Sequence, residues 1–268
     1  MSYQYALEFA ALSDPGRIRD QNEDAIIVCA DYGCAVLADG MGGYKAGEVA
    51  SAMSTRIIAE YLCAKLDSAW LSKLGLQFIP LSHWMNEAIQ LANQKVFQTS
   101  QTNVDCFGMG TTVIVACCAN ERLLLAHVGD SRAYRYRGET LTRLTRDHSV
   151  LQEQINSGQI TEEQARFSSI RNLITRAVGT QEEVEIDVAT YPTEEGDVYM
   201  LCSDGLTDML THDEIQTVFI QHYYDLTACC KILVEKANDA GGIDNTSVVL
   251  FKIKKSPDQT WFKKILSR

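Results

Sequence analysis

The chain has 268 residues, 46% of them hydrophobic, which is enough to bury a large core in one big domain or two small ones. Its formal charge of −11 argues against a nucleic-acid partner, because phosphate backbones reward clustered Lys and Arg. The longest apolar stretches, such as Thr111–Ala119 and Leu123–Val128, are too short to span a bilayer. Met1-Ser2-Tyr3-Gln4-Tyr5 has neither the basic start nor the apolar core of an export signal, so a cytoplasmic protein is expected.

In chain order, Tyr3–Ser13 reads as a first strand, with Ala25–Cys29 and Cys34–Ala38 as two more around a turn at Asp31-Tyr32-Gly33. The period changes over Gly47–Leu62. Val49, Met53, Ile57, Ile58 and Tyr61 recur there at three- and four-residue spacing, the mark of an amphipathic helix. A second helix is predicted over Ser82–Gln98, with Ser82 as its N-cap. Thr111–Ala119, Arg122–Val128 and Ala133–Arg137 read as an antiparallel meander, joined by Asn120-Glu121 and by Gly129-Asp130-Ser131. Between Thr145 and Thr180 the chain turns polar, with short helices predicted at Ser149–Ser157 and Thr161–Phe167. Strands Val184–Tyr191 and Asp197–Cys202 follow, then helices near Asp213–Gln221 and Leu226–Asp239, and a last strand Thr246–Lys254. Helices come in pairs between runs of strands. That order predicts an α+β fold, two stacked antiparallel sheets with a helical layer on each side, and not a doubly wound sheet. A single domain is expected over residues 1–253, followed by a tail over 254–268.

The nine Cys include no CxxC pair, and the duplicates Cys117-Cys118 and Cys229-Cys230 sit in apolar surroundings. They read as buried reduced thiols, with neither zinc spacing nor a disulfide framework.

The acidic residues carry more. Asn22-Glu23-Asp24, Asp39-Gly40, Gly129-Asp130-Ser131, Ser203-Asp204-Gly205, Asp208 and Asp244-Asn245 mostly lie beside Gly, Ser or Asn where an apolar strand ends or begins. One Asp-Gly makes a good turn and nothing more. Six such motifs are what an oxygen-rich site for hard divalent cations requires, if the fold gathers them at one edge. Gly40 and Gly205 would let backbone approach a ligand closely. Arg19, five residues before Asp24, offers a fork suited to phosphate oxygens. Bound cations would reverse the local sign of a chain otherwise too acidic to attract phosphate.

Arg19-Asp20-Gln21-Asn22-Glu23-Asp24-Ala25, Ala38-Asp39-Gly40-Met41-Gly42-Gly43, Gly108-Met109-Gly110-Thr111-Thr112, Val128-Gly129-Asp130-Ser131-Arg132, Cys202-Ser203-Asp204-Gly205-Leu206-Thr207-Asp208 and Asp244-Asn245-Thr246-Ser247 resemble, in order, the motifs of metal-dependent protein serine/threonine phosphatases, the PPM or type 2C family, in its bacterial form. The resemblance implies a four-layer α-β-β-α sandwich with two tightly bound Mn²⁺ or Mg²⁺ ions at one edge. It implies that Asp39 bridges them, that Asp204 and Asp244 complete one site, and that Glu23 and the Gly40 carbonyl hold the other. Asp24 would accept hydrogen bonds from metal-bound waters. A third, weaker site would draw on Asp130 and Asp204, with Asp208 as a further candidate.

The implied chemistry is direct attack on a phosphoserine or phosphothreonine by a hydroxide bridging two cations about 4 Å apart, with Arg19 neutralising phosphoryl oxygens. Phosphorylated proteins and a cognate serine/threonine kinase are the implied partners, and the expected protein is a monomer. Many eukaryotic relatives place His after the Asp-Gly motif as a general acid. Met41 stands there and cannot donate a proton. His148, in Arg146-Asp147-His148-Ser149, is a candidate donor that reads equally as a structural or helix-capping histidine.

Residues 145–179 match the family's flap and carry Arg146, Arg166, Arg171 and Arg176, as substrate gates or as a solvated face. In the tail, Lys254, Lys255, Lys263, Lys264 and Arg268 interleave with Trp261, Phe262, Ile265 and Leu266, as an amphipathic contact to a membrane or partner or as a frayed end. Two other functions fit parts of the pattern: a phosphatase of small phosphomonoesters, and a non-catalytic signalling module of the same fold. The full set of carboxylates speaks against the second.

Overall fold

Many strands of this chain are apolar on both faces, so each sheet has to be covered twice. The computed structural model describes residues 5–42, 46–71, 81–119, 121–161 and 173–255, together with 164, 168 and 170. Two antiparallel sheets cover each other there. One runs in the order β1 (Tyr5–Asp14), β11 (Thr246–Lys255), β10 (Val198–Cys202), β7 (Arg132–Arg137), β8 (Thr140–Arg143). The other runs β2 (Asp24–Cys29), β3 (Cys34–Met41), β5 (Val113–Ala119), β6 (Arg122–Val128), β9 (Asp187–Pro192), with the short β4 (Gly110–Thr111) paired to β3.

Alternation along each strand builds three cores. In β3, Ala35 and Leu37 point between the sheets, whereas Cys34, Val36 and Ala38 face outward. In β11, Val249, Phe251 and Ile253 meet them from the opposite sheet, while Val248 and Leu250 turn away. Helices α1 (Ala46–Leu71) and α2 (Leu81–Thr102) cover the outward face of the β3 sheet. Helix α3 (Val150–Asn156) starts on Ser149, whose hydroxyl accepts from the Gln152 N–H at 3.2 Å. Helices α4 (Asp204–Met209), α5 (His212–His222) and α6 (Leu226–Asp239) cover the other sheet. In α6, Leu226, Cys229, Cys230, Leu233, Val234 and Ala237 form one buried stripe, and Asp225 caps the first turn. The result is the α-β-β-α sandwich, with pairs of long helices outside two antiparallel sheets.

The predicted meander does not form. β5 pairs with β6, but β6 then pairs with β9, and β7 joins β8 and β10 in the opposite sheet. Gly129-Asp130-Ser131 is therefore a crossing between sheets and not a hairpin turn. Gly129 makes it in a left-handed conformation with φ 102°. Ser82 is not an N-cap either, because α2 begins at Leu81 and Ser82 lies inside its first turn. Strand β9 starts at Asp187, three residues later than its apolar signal. The predicted helix Thr161–Phe167 lies largely, and the tail after 255 wholly, outside the described residues.

Candidate metal centre

The acidic residues converge where the two sheets meet. In the β2–β3 ladder Asp24 stands directly opposite Asp39. Asp204 opens α4 just after β10, and Asp244 lies just before β11, the neighbour of β10. Asp130 sits on the crossing between sheets. Asp208 follows Asp204 by one helical turn, so both lie on the same face of α4. Convergence thus comes from both sheets and their connection, not from neighbouring strands alone.

Backbone contacts hold this arrangement. The Asp39 N–H donates to the Thr112 hydroxyl at 3.0 Å, and the Asp39 carbonyl accepts from the Thr112 N–H at 2.8 Å and the Thr111 hydroxyl at 2.8 Å. The Gly40 N–H donates to the Glu23 carbonyl at 3.1 Å. A Cβ on Gly40 would lie 2.1 Å from the Gly47 carbonyl oxygen, and one on Gly47 would lie 2.6 Å from the Glu23 carboxylate. Both positions exclude a side chain because three segments pack around Glu23. Asn245 stands out in the sequence only as the neighbour of Asp244, yet it ties the centre together. Its Oδ1 accepts the Glu23 N–H at 2.8 Å, and its Nδ2 donates to the Pro15 and Gln21 carbonyls at 3.0 and 2.9 Å.

Electrostatics report the crowding. Burial first, then the charges of Asp24, Asp204, Asp130 and Asp244, hold the Asp39 carboxyl well above the usual range. Burial and the charges of Asp130, Asp208, Asp244 and Asp24 do the same to Asp204. Asp130 is pushed up to about 7, chiefly by burial and then by Asp147, with Arg132 opposing. Asp24 is pushed up to about 6 by burial, against hydrogen bonds from Ser247 and Ser203. Glu23 is also raised, mainly by burial. Arg19 donates to Asp244 at 2.8 Å while its side chain stays 49% exposed, close enough to join the site and free enough to meet a ligand.

These carboxylates, Asp130 buried and the others half-buried, outnumber the positive charges of Arg19 and Arg132 beside them. Asp24 sharpens the point, since its Oδ2 accepts from the Ser203 hydroxyl at 2.8 Å while its Oδ1 is buried with no partner. A cluster of hard oxygen donors with an orphaned buried oxygen fits divalent cations with their waters.

His148 is brought near but is already engaged. Its Nδ1 accepts the Gly129 N–H at 3.1 Å, its ring stacks on His127 at 4.7 Å, and its Nε2 lies 3.4 Å from Asp187. Burial lowers its pKa, as it does that of His127. His148 is a structural histidine bracing the crossing before Asp130. Ligating atoms of His127, His148 and Asp187 fall within 4.8 Å of one another, but His127 Nε2 is bonded to the Arg146 carbonyl and Arg176 holds Asp187 at 2.9 Å. Those three support the flap's base. Arg176 also pairs with Glu185 at 3.0 Å, so it is an anchor and not a gate, and Arg166 and Arg171 lie outside the described residues.

The sequence reading missed a buried ion network beside the centre. Asp147 accepts from Arg132 Nη2 at 2.7 Å and also from Arg143. Asp147 stood in the Arg146-Asp147-His148-Ser149 motif, where an acid before a histidine was the available signal. Asp130, Arg132, Arg143, Asp147, Asp204 and Asp208 line one cleft of about 730 Å³.

A family model described as protein phosphatase 2C matches residues 18–236. The serine/threonine phosphatase stp of Listeria welshimeri is 35% identical over 242 residues, covering 89% of this chain and 92% of its own. The crystal structure of the Mycobacterium tuberculosis serine/threonine phosphatase PstP/Ppp superposes with a TM-score of 0.82 at 34% identity, over 92% of this chain and 99% of that one. A structure of the PstP catalytic domain in complex with 2 manganese ions gives 0.80 at 33% identity, over 93% and 99%.

Proposed function

The chain belongs to the protein phosphatase 2C family and is a metal-dependent protein serine/threonine phosphatase, and from that premise we propose how its own residues do the work. Asp39, Asp204 and Asp244 would hold one cation, and Asp39, Glu23 and the Gly40 carbonyl a second. Asp130, Asp204 and Asp208 would hold a third more weakly. Bound there, the cations supply a nucleophile from water near neutral pH and neutralise charge on the phosphoryl oxygens.

The remaining work falls to the protein. Arg19, half exposed beside Asp244, would swing its fork onto the phosphoryl oxygens and fix their orientation. Asp24 Oδ1, buried without a partner, would accept a hydrogen bond from water in the centre and orient it. Met41 cannot donate a proton, and His148 has its Nδ1 held by the Gly129 N–H and its Nε2 turned to Asp187, so the proton for the leaving Ser or Thr oxygen comes from water in the cleft. All nine cysteines are unpaired, which supports a reducing compartment, the cytoplasm, where the enzyme would oppose a serine/threonine kinase as a monomer. Residues 1–253 would act as one catalytic domain with its flap at 145–179. Among the described residues, no helix is long and apolar enough to cross a membrane.

The convergence of Asp24, Asp39, Asp130, Asp204 and Asp244 carries this reading. Phosphate release from a phosphothreonine peptide should need Mn²⁺ or Mg²⁺, stop with EDTA, and fall about a hundredfold or more in Asp39→Asn and Asp204→Asn. Release that survives chelation and both substitutions would defeat it.

A further inference from the structure

The cleft beside the acidic centre is also lined by two arginines. Arg132 in β7 and Arg143 at the end of β8 both point their guanidinium groups at one carboxylate, that of Asp147. Asp147 is buried, with its side chain 7% exposed, and neutralises only one of the two. Each arginine keeps 27% of its side chain exposed and lines the cleft. Arg143 reaches Asp147 through one Nη only, so its other Nη is not committed to that carboxylate. A protein of formal charge −11 thus keeps two guanidinium groups in the same cleft as Asp130, Asp204 and Asp208.

A cleft lined both by guanidinium groups and by the carboxylates of the metal centre suits a ligand with two anionic groups. One group would reach the cations of the metal centre, and the other would meet the guanidinium pair. The substrate is a phosphorylated polypeptide, and a polypeptide offers a second anion as an Asp or Glu carboxylate or as a second phosphate. We propose that Arg132 and Arg143 form a specificity subsite for a second anion on the substrate chain, close in sequence to the phosphoserine or phosphothreonine being hydrolysed. Arg143 is the reader, because it commits only one Nη to Asp147. Arg132 gives both its Nε and an Nη to Asp147 and mainly holds that carboxylate in place. This inference rests on the phosphopeptide reading above.

The test uses the full chain with saturating Mn²⁺ and three sets of phosphothreonine peptides. One set carries Glu, one a second phosphothreonine, and one Ala, at each position within about four residues of the scissile phosphate, about 13 Å of extended chain. The expected result is a preference of about fivefold or more in kcat/KM for the second anion over Ala at one or two positions, the scale of a partly exposed charge pair. The preference should shrink as salt rises. The Glu and phosphothreonine sets show whether carboxylate or phosphate is preferred.

In Arg143→Gln the ratio should collapse towards unity, and in Arg143→Lys it should partly persist, whatever rate each variant retains on Ala peptides. A merely structural Arg143 would lower all three sets together and leave the ratio intact, which would overturn the proposal. So would a wild-type ratio near unity at every position, a result that stands even if a variant fails to fold. Hydrolysis of p-nitrophenyl phosphate with none of any phosphopeptide would instead sink the phosphopeptide reading itself.

Discussion

Every polar atom of the Asn245 side chain is committed to backbone from three separate places: the Glu23 N–H, the Pro15 carbonyl and the Gln21 carbonyl. Its own N–H donates to the Asp244 carboxylate at 2.8 Å, so one residue sets the position of acids from both ends of the chain. Asn245→Ala leaves three part-buried backbone groups without their partner. It should cost about 2–3 kcal/mol of stability and weaken Mn²⁺ binding. Thermal denaturation and a metal titration check the two halves, and a variant as stable as the parent would remove Asn245 from the centre's support. The sequence showed Asn245 next to an acid but not what it bonds, because its partners lie more than two hundred residues away. The acids themselves were legible. A single carboxylate next to Gly or Ser at the end of an apolar run is an ordinary turn, but six of them along one chain form a ligand set.

Among the elements, Arg122–Val128 and Leu226–Asp239 were readable to the residue because each combines one clear period with a clear stop. Helix α4 was not, since its six residues are too short to show a helical period. The meander failed for a different reason. The signal of strand, short polar link, strand is the same whether the second strand pairs beside the first or crosses to the facing sheet, and only packing decides. The ion network of Arg132, Arg143 and Asp147 was hidden likewise, because it assembles a β7 residue, a β8 residue and a loop. The sheet interface itself is testable. Phe251 stacks on Tyr199 at 5.2 Å, lies tilted against Phe9 at 5.5 Å, and is 1% exposed. Phe251→Ala should cost about 3–5 kcal/mol, read as a lower denaturant midpoint with an unchanged slope.

Across the whole molecule, the acidic centre makes stability depend on pH in an unusual direction. Asp130 near 7, Asp24 near 6, and Asp39 and Asp204 held well above the usual range carry more protons in the folded state than in the unfolded one, where carboxylates titrate near 4. Stability of the metal-free protein should therefore fall as pH rises from about 4 to 7. His127 and His148, lowered by burial, act the other way below about 6.5, but they are two groups against a larger set of raised carboxylates. Melting temperatures in EDTA should drop across that window, and saturating Mn²⁺ should abolish or reverse the drop. A rise in EDTA would refute the crowded-carboxylate account.

The crossing at Gly129-Asp130-Ser131 places the centre on the seam between the sheets, with Asp39 on one side and Asp204 and Asp244 on the other. Roughly 165 residues of chain separate Asp39 from Asp204, so cations gripping both would act as a rivet across a very long loop, present only in the folded chain. By mass action, the folded population then rises with the free concentration of the ion. A cell starved of that metal would lose this phosphatase twice, first as a catalyst and then as a folded chain open to proteolysis.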